Sequence, residues 1–147
     1  MDVIIWVAEG TWPATVDAAR RWVPDASQVA LLHVMGDDAA AAAHGAFTGL
    51  LGRGYPHGRD PGEQVAELSA TAAADLLRDA AARFGRPAVK VARHGRIERE
   101  VLVVAEGVDL LICARDGDRG RPGPHSLAPP TRFVVDHAPC PVLLVWP

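Results

Sequence analysis

Between an apolar run that ends at Ala114 and a proline pair at Pro129 and Pro130, the chain gathers Arg115, Asp116, Gly117, Asp118, Arg119, Arg121, His125 and Ser126. A serine beside a histidine, with carboxylates upstream, contains the parts of a nucleophile, its base and a group to orient that base. Adjacent residues rarely face one another, and no Gly-x-Ser-x-Gly turn surrounds Ser126, so hydrolase chemistry is the weaker reading. A glycine among polar residues ahead of a helix is also raw material for an anion site. Glycine lets backbone N–H groups approach a phosphate, and a helix start presents unpaired donors. Two features oppose that use. Pro129 and Pro130 have no N–H to offer. Asp116 and Asp118 put negative charge where a triphosphate would pass, each like-charge contact costing about 1 kcal/mol or more near a protein surface. Arg115, Arg119, Arg121 and His125 are the cations at hand to offset it.

Elsewhere the chemistry is thinner. His33, His44, His57, His94, His125 and His137 form no His-x-x-x-His or Glu-x-x-His pattern on an expected helix, so no metal site is expected. His33 ends a central strand and reads as a core or crevice residue. The glycines and arginines of 52–62 lack the strand before and the lysine after that a P-loop requires. Cys113, in an apolar run, and Cys140, between prolines, form no Cys-x-x-Cys motif and read as free thiols. A net charge of −3 with interspersed signs leaves no footprint for nucleic acid. No apolar run approaches the roughly 20 residues of a membrane span, and no signal-peptide pattern opens the chain. A cytoplasmic protein is the expectation.

The elements that must position these groups follow from periodicity. Val3 to Ala8 is a β-branched run too short for a helix and closed by Glu9-Gly10, hence a buried strand. Thr11 is placed to cap a helix, Pro13 suits its first turn, and Val16, Ala19, Trp22 and Val23 recur at helical spacing. Val29 to Val34 is the second strand, giving a parallel βαβ unit. Residues 35–60 read as a variable, partly flexible insertion, with a short helix over 39–51. Asp60-Pro61-Gly62-Glu63 resembles a capping box and starts a helix whose apolar face is Val65, Leu68, Ala72, Leu76, Ala80 and Phe84. Ala88 to Arg93 alternates like an edge strand, and 97–105 is a short helix. Then come a buried strand over 109–114, a helix over 131–137 and a last strand over 142–146. One domain over 1–147 is expected, a doubly wound, Rossmann-like α/β fold with five parallel strands and helices on both faces, the order 3-2-1-4-5 being expected over a 2-1-3-type alternative. In such a sheet the ligand crevice opens where the strand order reverses, beside strand one. Ala8, Glu9, Gly10, Thr11, Val34, Met35 and the loop from Ala114 would meet there.

Several stretches resemble the universal stress protein family: Ile4 to Thr11, Leu31-Leu32-His33-Val34, Val108 to Ile112, and above all His137-Ala138-Pro139-Cys140-Pro141-Val142-Leu143-Leu144-Val145. The resemblance implies a cytosolic stress-response domain and a homodimer formed through the last strand, Val142 to Trp146. Family members divide into nucleotide binders and non-binders. The binders carry Gly-x-x-Gly after strand four, and Gly-Ser or Gly-Thr further on. Here Ala114 takes the first glycine's place, Gly117 is the second, and Ala128-Pro129 falls at the Gly-Ser position, with the spacing one residue longer. Glu9 stands where the binders resemble one another in an aspartate that contacts the adenine or ribose side. Trp6 and Trp12 lie near enough in sequence to stack on a base. The candidate nucleotide crevice is therefore Ala8, Glu9, Gly10, Thr11, Val34, Ala114, Gly117, Arg119, His125 and Ser126, with ATP or AMP as the ligand if one binds. The expectation is a non-enzymatic stress-response protein with a degenerate phosphate loop, acting through dimerisation and protein partners. The alternatives are an ATP- or AMP-binding member with a modified loop, and a hydrolase centred on Ser126.

Overall fold

The computed structural model describes residues 1–37, 61–118, 120 and 124–147. Five parallel strands, β1 (Asp2–Trp6), β2 (Gln28–Gly36), β3 (Val89–Gly95), β4 (Leu110–Ala114) and β5 (Val142–Val145), form one sheet in the order β3-β2-β1-β4-β5. The expected strand order is the one observed. Four helices accompany them among the described residues: α1 (Trp12–Trp22), α2 (Pro61–Phe84), α3 (Ile97–Val104) and α4 (Pro129–His137). The expected helix over 39–51 and the cap at Asp60 lie outside the described residues.

The continuous apolar runs follow from covering the sheet on both faces, since successive side chains of a strand point to opposite sides. Val3, Ile5 and Val7 of the β1 region pack with Val16 and Ala19 of α1 and Leu77, Ala80 and Phe84 of α2. Ile4 and Trp6 point the other way and pack with Val101 of α3 and Val134 of α4. β1 lies in the middle, registered with β2 from Asp2↔Gln28 to Trp6↔Leu32 and with β4 from Val3↔Leu110 to Ile5↔Ile112. Its start is pinned by Asp2 N–H donating to Asp109 Oδ2 at 2.7 Å and Asp109 N–H donating to the Asp2 carbonyl at 2.9 Å.

Three local expectations are corrected. Thr11 precedes α1, but its side chain makes no capping bond; the turn is closed by Thr11 and Trp12 N–H groups donating to the Ala8 carbonyl. The buried face of α2 runs through Ala73, Leu77, Ala80 and Phe84, while Leu68 is 70% exposed. The helix therefore turns its C-terminal half onto the sheet along a stripe one residue out of phase with Leu68, Ala72 and Leu76. α4 begins at Pro129 rather than Thr131, with prolines in its first two positions, where a missing N–H breaks no intrahelical bond.

Candidate functional site

At the carboxyl ends of the strands a crevice of about 430 Å³ opens over β1 and β2, within the roughly 300–1,000 Å³ range of small-molecule sites. Ala8 and Glu9 follow β1, and His33, Val34, Met35 and Gly36 come from the end of β2. Ser69, Ala72 and Ala73 of α2, Ile97 of α3, and Pro130 and Thr131 of α4 wall it, with Asp116 from the loop after β4. This is the reversal point of the strand order, because β1 sends its connection to one face and β4 to the other.

Of the residues singled out in the sequence, Ala8, Glu9, Val34 and Met35 line the crevice; Gly10, Thr11, Ala114, Gly117, His125 and Ser126 do not, and Arg119 lies outside the described residues. Trp6 also lines it and is otherwise buried at 6% exposure, whereas Trp12 packs against the core on the opposite face. The two tryptophans cannot sandwich one base. The His33 ring holds Nδ1 2.8 Å from the Val7 carbonyl, which can only accept. Nδ1 therefore donates its N–H to that carbonyl, leaving Nε2 as the other ring nitrogen.

The loop after β4 folds back on itself. Asp116 lays its carboxylate on the first turn of α4, where Ala128 N–H donates to Oδ1 at 2.9 Å and the Thr131 hydroxyl to Oδ2 at 2.6 Å. Asp118 N–H donates to the His125 carbonyl at 2.8 Å. Gly117 lies between these bonds, and a Cβ there would come within 2.3 Å of the His125 carbonyl oxygen and 2.5 Å of the Ser126 carbonyl carbon. Its glycine is needed for this close backbone approach. Arg115 turns away from the crevice: its guanidinium stacks 4.0 Å from the Trp146 ring centroid and Nη2 donates to Ser126 Oγ at 2.6 Å. The Ser126 hydroxyl thus faces a cation that cannot take its proton, and the structure does not bring it together with His125 as a nucleophile and base.

The electrostatics of the crevice are set by Glu9 and Asp116, since no Lys or Arg is among its described lining residues. A neighbouring hollow of about 530 Å³ shares Gly36, Ile97 and Pro130 with it and adds Asp37, Arg96 and Glu98. Arg96 Nε is bound to Glu98, and the Glu98 carboxyl is held below its usual range by its own backbone N–H first and by Arg96. His94 Nδ1 sits 2.8 Å from Asp37. Under the loop, burial foremost and the negative charge of Asp116 push the Cys113 thiol up to about 12. Among the described residues no group of His, Cys, Asp and Glu is arranged to hold a metal ion, and no helix is long and apolar enough to cross a membrane.

Sequence reasoning placed the crevice on β1 and β2 but missed the wall from α2, where Ser69, Ala72 and Ala73 carry no motif. It noted Asp116 only as a charge, because its partners lie 12 and 15 residues further on.

A model of the universal stress protein family matches residues 14–145. Three similar solved structures cover 99% of this chain. UspA from Lactobacillus plantarum is 18% identical, with a TM-score of 0.61 and 97% of its own chain covered. A universal stress protein in complex with cAMP is 13% identical, with a TM-score of 0.62 and 96% covered. A universal stress family protein from Arabidopsis thaliana with AMP bound is 17% identical, with a TM-score of 0.60 and 91% covered. At these identities the likeness is one of fold. No curated protein matches the chain.

Proposed function

Because the chain belongs to the universal stress protein family, we propose that it is a non-catalytic, cytosolic stress-response module whose crevice receives the nucleoside part of a small ligand. The observation that carries this reading is the placement of Glu9 just after β1 in a crevice with Trp6, His33 and Val34, a carboxylate and an imidazole beside apolar surface. A carboxylate in the ligand crevice of a doubly wound sheet is a natural acceptor for ribose hydroxyls. Two structures of like fold hold AMP or cAMP, which supports the same ligand class here. Absence of turnover is proposed because Ser126, the one nucleophile the sequence offered beside a histidine, is bonded to Arg115.

Amide and methyl NMR of the full chain with adenosine, AMP and cAMP tests the reading. Saturable shifts are expected at Ala8, Glu9, Val34, Met35 and Ser69 with at least one of the three. Unchanged spectra with all of them overturn it, and product release from AMP or ATP above the uncatalysed rate overturns its non-catalytic part. The proposal also includes a homodimer through β5. That strand is an edge whose four residues are only half-buried, and edge strands of apolar sequence are ordinarily paired or covered. Sedimentation equilibrium giving a monomer mass at every concentration would remove it.

A further inference from the structure

The crevice lies where a nucleotide would need to seat its phosphates on α4, and the first turn of that helix already has an anion on it. Asp116 takes up the Ala128 N–H and the Thr131 hydroxyl, and the next two positions of the helix are prolines without N–H groups. We infer that this crevice discriminates against phosphate and takes an uncharged nucleoside, in the affinity order adenosine, AMP, ATP. This rests on the nucleoside-binding reading above.

Four observations carry it. The Asp116 carboxylate is tethered to the loop, so it holds the helix start at an effective concentration that a dissolved phosphate does not match. A phosphate entering beside it would meet a like charge, and one displacing it would leave that charge nearby with both its hydrogen bonds broken. The backbone gap that a phosphate-cradling loop keeps open is closed here, with Gly117 packed against the backbone of His125 and Ser126 at less than Cβ clearance. Of the described cations nearby, Arg96 is engaged with Glu98 and Arg115 with Ser126 and Trp146. Among the described residues, what remains to meet a ligand is apolar surface from Trp6, Val34 and Ile97 and the polar groups of Glu9, His33 and Ser69. That set matches a flat heterocycle with hydroxyls and carries nothing to neutralise a phosphate.

Titration calorimetry of the full chain with adenosine, AMP and ATP, at low and at physiological salt, tests the order. Adenosine is expected to bind about tenfold or more tighter than AMP, a gap of about 1.4 kcal/mol, with ATP weaker again. Raising the salt should narrow the gap, because screening weakens the repulsion between phosphate and carboxylate. Asp116→Asn retains an oxygen for the Ala128 N–H while removing the charge, and should bring the AMP-to-adenosine affinity ratio to within about threefold. AMP or ATP binding the wild-type chain as tightly as adenosine overturns the inference and leaves the nucleoside reading standing. The salt series uses the wild-type chain alone, so it remains decisive even where Asp116→Asn misfolds; a gap that ignores salt overturns the role given to the Asp116 charge. No heat and no thermal shift with any of the three compounds overturns both.

Discussion

Replacing Asp116 with alanine removes two hydrogen bonds from the start of α4 at once, and their separate worth can be worked out from where each donor sits. The Ala128 N–H is one of the orphan donors of the helix start, and losing a capping acceptor costs about 0.5–2 kcal/mol. The exposure of the Asp116 carboxylate places this case in the lower half, about 1 kcal/mol. The Thr131 hydroxyl is in a residue only 2% exposed, so water replaces the lost oxygen poorly and the cost is again about 1 kcal/mol or more. A total near 2 kcal/mol is therefore expected, and for a chain of this size that lowers the midpoint of thermal unfolding by roughly 4–8 °C. Urea unfolding followed by circular dichroism should show a lower midpoint with an unchanged slope. Asp116→Asn should lose less than half as much, since it keeps an acceptor for the N–H. Thr131→Val should lose only the share of one bond. If Asp116→Ala unfolds within about 0.5 kcal/mol of the wild type, the carboxylate is not capping α4 in solution, and the account of the closed loop fails with it.

Gly117→Ala should destabilise the chain by about 1–3 kcal/mol, because the contacts at under 2.6 Å are to backbone atoms and cannot swing away; calorimetric unfolding measures this. Asp17 is bridged by Arg83 at 2.6 Å, and hydrogen bonding from that guanidinium lowers its pKa below the ordinary 3.8. The pair's contribution is complete above that value and is lost as pH falls through the lowered one, so the wild type should exceed Asp17→Asn in melting temperature near neutrality and converge with it once the pH is below the lowered value. Native Cys113, its thiol pushed up to about 12, should resist iodoacetamide at mildly alkaline pH, while half-buried Cys140 labels first and both label on unfolding; mass spectrometry reads the order. Phe84→Ala, at a ring 1% exposed in the core between α1, α2 and the sheet, should cost about 3–5 kcal/mol in urea unfolding.

The doubly wound sheet was legible because the runs Val3 to Ala8, Val29 to Val34 and the strand over 109–114 are apolar on successive residues, as a sheet covered on both faces requires. The phase of α2 was legible only at Ala80 and Phe84. Its sequence places alanine or another apolar residue on almost every side of the helix, so several stripes fit equally well until the sheet selects Ala73, Leu77, Ala80 and Phe84. Residues of the crevice that end strands followed from topology, whereas those that reach it from α2 and α4 depend on how each helix is rotated. The prolines at 129 and 130 declared a loss of donors in advance. That Asp116 would fill the vacated role depended on a loop closing back over a dozen residues, a geometry no local pattern encodes.

The central position of β1 shapes the order in which the fold can assemble. Its neighbour on one side, β2, arrives within a few dozen residues, but the bond from Asp2 to Asp109 closes a loop across 107 positions. While the chain lengthens on a ribosome, the half-sheet of β1, β2 and β3 presents the bare flank of its most apolar strand until β4 emerges. Nascent chains halted before Leu110 should therefore recruit holding chaperones or cluster with one another. Emergence of β4 from the ribosome should end that vulnerability.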